Sequence, residues 1–370
     1  MSDAIQVSGY LEKHQKGFGF LRSLSNNFQK SQADTFVPAG VINRFGIEDG
    51  TFVEGTAIQN PGKPAPSIKE VTKLNGVNPM DFRFRKSNFM KGDAITPEKW
   101  LQLEMSGGSP SNRVVDIAAP LGRGQRALLV APPRSGKTVL MENMITATMS
   151  KYSDLKTIIM LIDERPEEVT HFKRTFPKAT LMASSNDQAP TDHIELARKT
   201  FNAVKSMVEQ GEDVIIFMDS LTRLCRAFNS QQRGGRTLSG GLDTNALTEP
   251  KKMFGMARQI ENGGSLTIVA TTLVETGSAM DDVIFREFKG TGNMELVLES
   301  NLANRQLYPA VNISKSGTRN DHKLLGYDLV DDVNSLRSQL SDCKSEEALR
   351  QLLSLIDKYP TNQEFLSLQG

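Results

Sequence analysis

The octapeptide Ala131-Pro-Pro-Arg-Ser-Gly-Lys-Thr138 constrains the fold of this chain more than any other feature. It follows an apolar strand pattern at 126–131 and precedes a helical pattern at 137–151. A loop placed between a strand and a helix in this way forms a phosphate-binding loop, whose backbone amides and helix N-terminus face the phosphates. Ala131 stands where such loops usually begin with glycine. The motif therefore predicts an α/β domain that binds a nucleotide.

Further apolar runs of strand length follow this loop and alternate with helical patterns. The runs cover 157–163, 214–219 and 265–271, and a long helical pattern covers 192–210. This alternation indicates a parallel sheet with crossover helices. A last amphipathic helix is expected over 345–356.

Two of these strands end in carboxylates, where open α/β sheets bind their ligands. Five apolar residues precede Asp219, as expected for a Walker B aspartate. The strand at 157–163 runs into Glu164, which we assign as the general base that orients and deprotonates water. Glu167 and Glu168 fit a solvated helix start instead.

Together the loop and the strand ends predict a site for ATP and Mg²⁺. Lys137 is expected between the β- and γ-phosphates, and Thr138 and Asp219 are the expected Mg²⁺ ligands. The residues expected to contact ATP are those of the loop and the one that follows it: Ala131, Pro132, Pro133, Arg134, Ser135, Gly136, Lys137, Thr138 and Val139.

The N-terminal segment has a different pattern, with short β-forming stretches at 7–12, 17–21 and 35–37. Phe18 and Phe20 are two residues apart and so share one strand face, and a neighbouring strand can bring Phe36 beside them. Exposed rings with basic residues nearby form a base-stacking surface for RNA. The basic residues are Lys13, Lys16 and Arg22. The alternative is that the three rings form the core of a small β-domain.

The chain of 370 residues thus divides into three segments. Residues 1–75 are expected to form an all-β RNA-binding module, 76–112 a polar connector and 113–370 the α/β ATPase domain. Trp100, the single tryptophan, is expected to anchor packing within the connector.

The charges nearly cancel, since 44 basic and 43 acidic residues leave +1. This balance excludes the strongly basic coat of a histone-like protein. The sequence contains no apolar run of membrane-spanning length and no secretory signal, and its two cysteines, Cys225 and Cys343, form no disulfide framework. We expect a cytoplasmic protein without a membrane partner.

Taken together, these motifs resemble the Rho family of bacterial transcription termination factors, from about residue 7 to 319. The most specific stretches are 131–138, 162–169, 238–241, 263–268, 287–295 and 316–319. The resemblance implies an OB-fold (cold-shock-like) RNA-binding domain followed by a RecA-like P-loop ATPase domain. A family member usually carries a small helical segment before the β-domain, whereas this chain starts almost at the first strand.

The resemblance also implies further site roles. Arg134 takes the place of a second basic residue of the P-loop, and Arg165 matches an arginine that relays nucleotide state across the subunit boundary. Arg319 is similar to an arginine finger presented to the neighbouring subunit's nucleotide. Tyr308 is similar to an aromatic residue that stacks near the adenine.

Two segments are similar to the family's pore loops, which contact RNA. Residues 231–241 are similar to the Q-loop, with Arg236 where a lysine is usual and with Gly240 among the RNA-contacting glycines. Residues 277–283 are similar to the R-loop, with Ala279 where a functional lysine is typical. Gln306 replaces a common arginine.

The implied function is a homohexameric, RNA-stimulated ATPase that moves along single-stranded RNA from 5′ to 3′ and releases transcripts from RNA polymerase. One alternative is a divergent RNA-binding regulator that binds ATP and translocates weakly, which Ala279, Gln306 and a shortened segment at 63–68 favour. A rotary-ATPase catalytic subunit is a second alternative, against which the N-terminal Gly-Phe-Gly-Phe segment argues.

Overall fold

The N-terminal part of the chain is a small closed barrel. The computed structural model describes residues 4–59, 62, 64–84, 89, 92–232, 237 and 239–367. In these residues the barrel strands are β1 (Ile5–Lys13), β2 (Gly19–Arg22), β3 (Phe36–Val37), β4 (Phe52–Ile58) and β5 (Ser67–Leu74). They close in the order β1-β2-β3-β5-β4, with β3 and β5 parallel and the other neighbouring pairs antiparallel. Helix α1 (Ala39–Phe45) lies between β3 and β4, and α2 (Pro79–Phe84) follows β5.

The barrel interior is filled by aliphatic side chains, since alternate residues of each strand point inward. Leu11, Leu21, Val37 and Val53 are almost fully buried there. The aromatic residues of the Gly-Phe-Gly-Phe segment are outside this core. The alternative that these rings form the core of the β-domain is therefore wrong.

The rest of the chain is built on a mainly parallel sheet, as the sequence predicts. Its main path runs β14-β13-β7-β12-β10-β8-β9, and a short β6-β11 ribbon joins at β12. The strands are β6 (Ala94–Ile95), β7 (Arg126–Ala131), β8 (Leu155–Glu164), β9 (Thr180–Ser185), β10 (Asp213–Asp219), β11 (Arg258–Ile260), β12 (Ser265–Leu273), β13 (Met294–Val297) and β14 (Gly317–Thr318). The prediction of an α/β chain with an all-β N-terminal module is confirmed.

Helices cover both faces of this sheet, and buried residues on each face form a separate core cluster. They are α3 (Pro110–Ala118), α4 (Lys137–Lys151), α5 (Pro166–Thr175), α6 (Pro190–Glu209), α7 (Leu221–Ser230), α8 (Thr248–Phe254), α9 (Ala279–Lys289), α10 (Ser300–Asn304), α11 (His322–Leu325), α12 (Tyr327–Ser341), α13 (Ser345–Lys358) and α14 (Asn362–Leu366). Among the described residues, none of these helices has the length and apolar character needed to cross a membrane.

The segment at 76–112, for which the sequence predicts a polar connector, contributes to the packing of the ATPase domain. Strand β6 pairs with β11 and so extends the sheet. Leu101 and Leu103 are fully buried, and the Asp116 carboxylate accepts the backbone N–H of Leu103 at 2.9 Å. Trp100 is only partly buried, and it packs against the same core.

The barrel is docked on the ATPase domain through specific polar contacts. The Asn27 side chain exchanges two hydrogen bonds with the backbone of Ala183 at 2.7 and 3.0 Å. Ser206 donates to the carbonyl of Gly50 at 2.6 Å. Phe28, which follows β2, is buried within a core cluster of the ATPase sheet. The two parts of the chain therefore share packing.

Candidate nucleotide site and RNA platform

The predicted phosphate-binding loop links the end of β7 to the start of α4. Ser135 is buried and donates its hydroxyl hydrogen bond to the carbonyl of Pro132 at 2.7 Å, which closes the loop on itself. Gly136 has φ of 83°, a conformation that residues with a Cβ rarely adopt. Helix α4 begins at Lys137, so its N-terminus faces the loop.

The Tyr308 ring lies against this loop. A Cβ atom placed on Gly136 would approach two ring carbons of Tyr308 at 3.1 Å. The ring is 44% exposed, so it combines contact with the loop and an accessible face. This position suits the adenine-stacking role that the family resemblance implies.

Four strands that are neighbours in the sheet bring the polar groups of the site together at their carboxyl ends. The P-loop follows β7, Thr271 is near the end of β12, Asp219 ends β10 and Glu164 ends β8. Lys137 Nζ is 2.5 Å from Asp219 Oδ2. Thr271 donates to Asp219 Oδ1 at 2.8 Å. Because parallel strands end at one edge, residues far apart in sequence form a single site.

The surroundings of the Glu164 carboxyl shift its pKa. It is only 2% exposed, and burial raises the pKa of its carboxyl, with the nearby Asp219 charge raising it further. Arg223 lies 3.1 Å from Glu164 Oε1 and acts in the opposite direction on the pKa. A buried carboxylate with a raised pKa is a better proton acceptor than an ordinary glutamate.

The remaining predicted residues of the nucleotide site lie around this centre. Thr138 and Val139 occupy the first turn of α4, and Val139 is 61% exposed. Arg134 is exposed on the P-loop, and Arg165 is exposed at the N-cap of α5, where its backbone N–H donates to Glu164 Oε1 at 3.1 Å.

Arg319 lies at the other edge of the sheet. It follows β14, whose Thr318 pairs with Met294 of β13, and Met294 pairs in turn with Ala127 of β7. Arg319 therefore lies beside the amino-terminal end of β7. The P-loop follows the carboxyl-terminal end of this strand, which at ~3.3 Å per residue is roughly 15 Å away. This distance exceeds the reach of an arginine side chain, so Arg319 does not contribute to the nucleotide site of its own chain.

Helix α7 connects the nucleotide site to the two segments that resemble pore loops. Residues 223, 226 and 229 are three apart and so share one side of the helix. Arg223 bonds to Glu164, as described above. Arg226 forms a bidentate ion pair with Asp281 of α9, with N···O distances of 2.6 and 2.9 Å. Asn229 donates to the carbonyl of Gly241 at 3.1 Å and accepts the N–H of Asp243 at 2.7 Å.

The two loop segments also contact each other. Gly240 lies in a single 3-10 turn, Ser239–Gly241, with φ of 75°. A Cβ there would collide with the backbone of Ala279 and Met280, so only glycine fits this contact. Arg236, the other RNA contact predicted in this segment, lies outside the described residues.

On the barrel, three aromatic rings form one surface, which we call the aromatic platform (Phe18, Phe20 and Phe36). The ring centroids are 5.5 to 6.0 Å apart, and each ring is partly exposed. The platform arises from register, because Phe20 pairs with Phe36 across β2 and β3. The sequence prediction that these three rings meet on one face is confirmed.

One predicted member of the RNA surface is placed differently. Arg22 is 6% exposed and pairs with Glu12 and Asp34, so its charge is neutralised inside the barrel. Its guanidinium carbon lies 5.1 Å from the Phe20 ring centroid. The guanidinium is thus buried and paired behind the platform, and an RNA contact by Arg22 stays a prediction. Lys13 and Lys16 are exposed as predicted.

Sequence reasoning missed three polar residues around the nucleotide site and α7, and one ring that lies against the aromatic platform. They are Thr271, Arg223, Arg226 and His14. A threonine near the carboxyl end of a buried strand, where sites of parallel sheets lie, was a usable signal for the first of them. The partners of the other three depend on tertiary contacts that no local pattern encodes.

These features define a class, a P-loop nucleotide-binding domain preceded by an OB-like barrel. Residues 111–318 match the ATP synthase alpha/beta family, nucleotide-binding domain, and residues 7–80 match the Rho termination factor, RNA-binding domain. A transcription termination factor Rho from Aquifex aeolicus is 43% identical over 99% of this chain and 85% of its own length. A transcription termination factor Rho from Neisseria gonorrhoeae is 41% identical over 99% of this chain and 88% of its own length. The chain belongs to the Rho family of transcription termination factors.

Solved structures support the architecture of the ATPase domain. A type III secretion system ATPase of pathogenic bacteria superposes with a TM-score of 0.58 over 74% of this chain and 76% of its own. The sequence identity is 23%, so this similarity concerns the fold alone.

Proposed function

We propose that this protein is a transcription termination factor, an RNA-dependent ATPase that moves along single-stranded RNA and releases transcripts from RNA polymerase. The observation that carries the proposal is the series of bonds along α7. It joins Glu164 at the nucleotide site to Asp281 and Gly241, which belong to the two segments that resemble RNA-contacting loops. Through these bonds, RNA in the pore would affect hydrolysis of ATP.

The chemistry at the nucleotide site follows from the groups present. The P-loop amides and Lys137 hold the phosphates, and Glu164 accepts the proton of the attacking water. Tyr308 stacks on the base from its position against the loop. Lys137 and Glu164 act from the start of α4 and the end of β8, which favours a preorganised site.

The residues at this edge also suit Mg²⁺. The Thr138 hydroxyl and the buried Asp219 carboxylate are oxygen ligands of the kind that this ion prefers, and they flank the phosphate loop. Bound there, Mg²⁺ would neutralise charge on the β- and γ-phosphates.

Arg319 supports assembly into a ring. Since it cannot reach the nucleotide of its own chain, its role as an arginine finger requires a neighbouring subunit, and we propose the homohexamer of the family. Mixing Arg319→Ala subunits with Lys137→Ala subunits tests this point. Recovery of ATP turnover in the mixture, when each variant alone is inactive, is the expected result. A mixture as inactive as its components would contradict a finger that acts between subunits.

The activity itself is tested by two measurements on one preparation. We expect ATP turnover to rise on addition of single-stranded RNA, and we expect the protein to displace a DNA strand hybridised to the 3′ part of an RNA. Comparison of poly-C, poly-U and mixed RNAs then shows the base preference. Turnover that does not respond to any RNA would contradict the proposal.

A second candidate function is an RNA-binding ATPase that regulates transcription with weak translocation. Ala279 favours it, because this uncharged residue begins α9 at the contact with Gly240 and supplies no cation for RNA phosphates. RNA-stimulated turnover without strand displacement is the result expected for this candidate.

A further inference from the structure

A fourth ring is attached to the aromatic platform. The His14 imidazole is stacked on Phe18 with the ring centroids 4.6 Å apart and an angle of 8° between the planes. His14 is exposed. One face of Phe18 is therefore covered by the imidazole, whose own exposed surface extends the platform.

The imidazole is held in place by the turn that joins β1 to β2. The His14 N–H donates to the carbonyl of Phe18 at 2.7 Å, and the His14 carbonyl accepts the N–H of Gly17 at 2.8 Å. The ring nitrogen Nδ1 accepts the backbone N–H of Lys16 at 3.2 Å. The two backbone bonds fix the turn and the bond to Nδ1 orients the ring on it before any RNA is bound, so little ordering entropy remains to be lost on binding.

The hydrogen bond to Nδ1 also determines which nitrogen of the neutral ring carries the proton. Because Nδ1 acts as an acceptor, the proton of the neutral imidazole is on Nε2. Within the described part of the chain, no hydrogen bond is recorded for Nε2. His14 thus combines a flat face for stacking with an N–H donor for oxygen acceptors on a base edge or phosphate.

We propose that His14 is an RNA-contacting residue that stacks a nucleobase of single-stranded RNA at the Phe18 end of the platform. A base arriving at this end meets the imidazole before Phe18, and Lys13 and Lys16 lie exposed on the same turn for the phosphates. This inference rests on the proposed role of the barrel in RNA binding. In the competing role, which we call the cover, the imidazole only shields the Phe18 ring, and RNA must displace it before a base can stack there.

Binding of a short fluorescein-labelled oligocytidylate, followed by anisotropy on the full chain without nucleotide, separates these roles. We expect His14→Ala to weaken binding roughly five- to tenfold, because one base loses its stacking partner. His14→Phe keeps a flat ring, and we expect its affinity to stay within about threefold of wild type. The matched control is His322→Ala, which removes the other histidine stacked on an aromatic ring, Tyr327, outside the barrel.

Each outcome bears on the proposal. Unchanged or tighter binding by His14→Ala would overturn it, and tighter binding would establish the cover. Equal losses in His14→Phe and His14→Ala would also overturn it, since stacking would then not be what was lost. Failure of the proposed function is recognised separately: the wild type would not bind RNA, or Phe20→Ala would bind as well as the wild type. Melting curves confirm that the exposed substitutions leave the barrel folded.

Discussion

At the nucleotide site the working groups are buried and bonded to one another, whereas the aromatic platform exposes its rings and buries the charges behind them. Glu164 and Asp219 are at most 2% exposed and are bonded to Arg223, Lys137 and Thr271. At the platform, the charges of Arg22 and Asp34 are buried, whereas the rings of Phe18, Phe20 and Phe36 are partly exposed.

This difference fits the two ligands that we propose for these sites. A γ-phosphate is attacked by one water molecule in a fixed geometry, so the groups around it need a preorganised environment of low dielectric. A flexible RNA strand is held by stacking and by charges along its length, which only need to be accessible. Substitutions at the first site should therefore change turnover, and substitutions at the second should change affinity or barrel stability.

The largest expected effect tests whether the two sites are separate. Lys137→Ala removes the ammonium that the P-loop offers to the phosphates, and we expect ATP turnover to fall by about a thousandfold or more. RNA filter binding through the barrel should stay within a few-fold of wild type. Lys173→Ala, an exposed lysine in the last turn of α5, is the control. Equal loss of RNA binding would break the division between the sites.

The next effect concerns the raised pKa of Glu164. Glu164→Gln removes the proton acceptor, and we expect turnover to fall by roughly 10²–10⁴-fold. The base works only as a carboxylate, and its pKa is raised by burial and by Asp219. Wild-type turnover should therefore decline on the acid side at a higher pH than an exposed glutamate would produce. Exposed Glu167→Gln is the control, and an unaltered acid limb in Glu164→Gln would disprove the assignment.

A smaller effect separates support of the platform from contact with RNA. Arg22→Met leaves the buried Asp34 without its cation, while Glu12 keeps Lys199 at 2.9 Å, and we expect a loss of roughly 3–5 kcal/mol in unfolding free energy. Arg44→Met removes a guanidinium that also lies over a phenylalanine ring but is exposed, and it should cost less than about 1 kcal/mol. Denaturant unfolding measures both. Full stability of Arg22→Met with weakened RNA binding would support Arg22 as a direct RNA contact instead.

The smallest effect is expected at the exposed lysines of the barrel. Lys16→Ala removes one charge beside the platform, and we expect the slope of log affinity against log salt to fall by about 0.7. Lys358→Ala, exposed at the end of α13, should leave the slope unchanged. RNA titrations at several salt concentrations measure this slope, and an unaltered slope for Lys16→Ala would remove this residue from the RNA surface.

The sequence largely predicted which residues meet at the proposed nucleotide site. Lys137, Asp219 and Glu164 follow or end apolar runs, and parallel strands place such residues at one edge whatever the rest of the fold. The register of β2 and β3 likewise follows from short alternating strands, so the meeting of Phe18, Phe20 and Phe36 was predictable.

What the sequence alone determined is the class of each segment, since motif spacing and the alternation of apolar residues are local properties. Only the tertiary structure decided which charges are exposed and which residues are partners. Arg22 is buried because Glu12 and Asp34 come from other segments of the barrel, and His14 reaches Phe18 because a turn folds back. The same holds for α7, whose polar side meets Glu164, Asp281 and Gly241 only when the sheet is assembled. Burial and pairing are sums over distant segments, and no local pattern contains them.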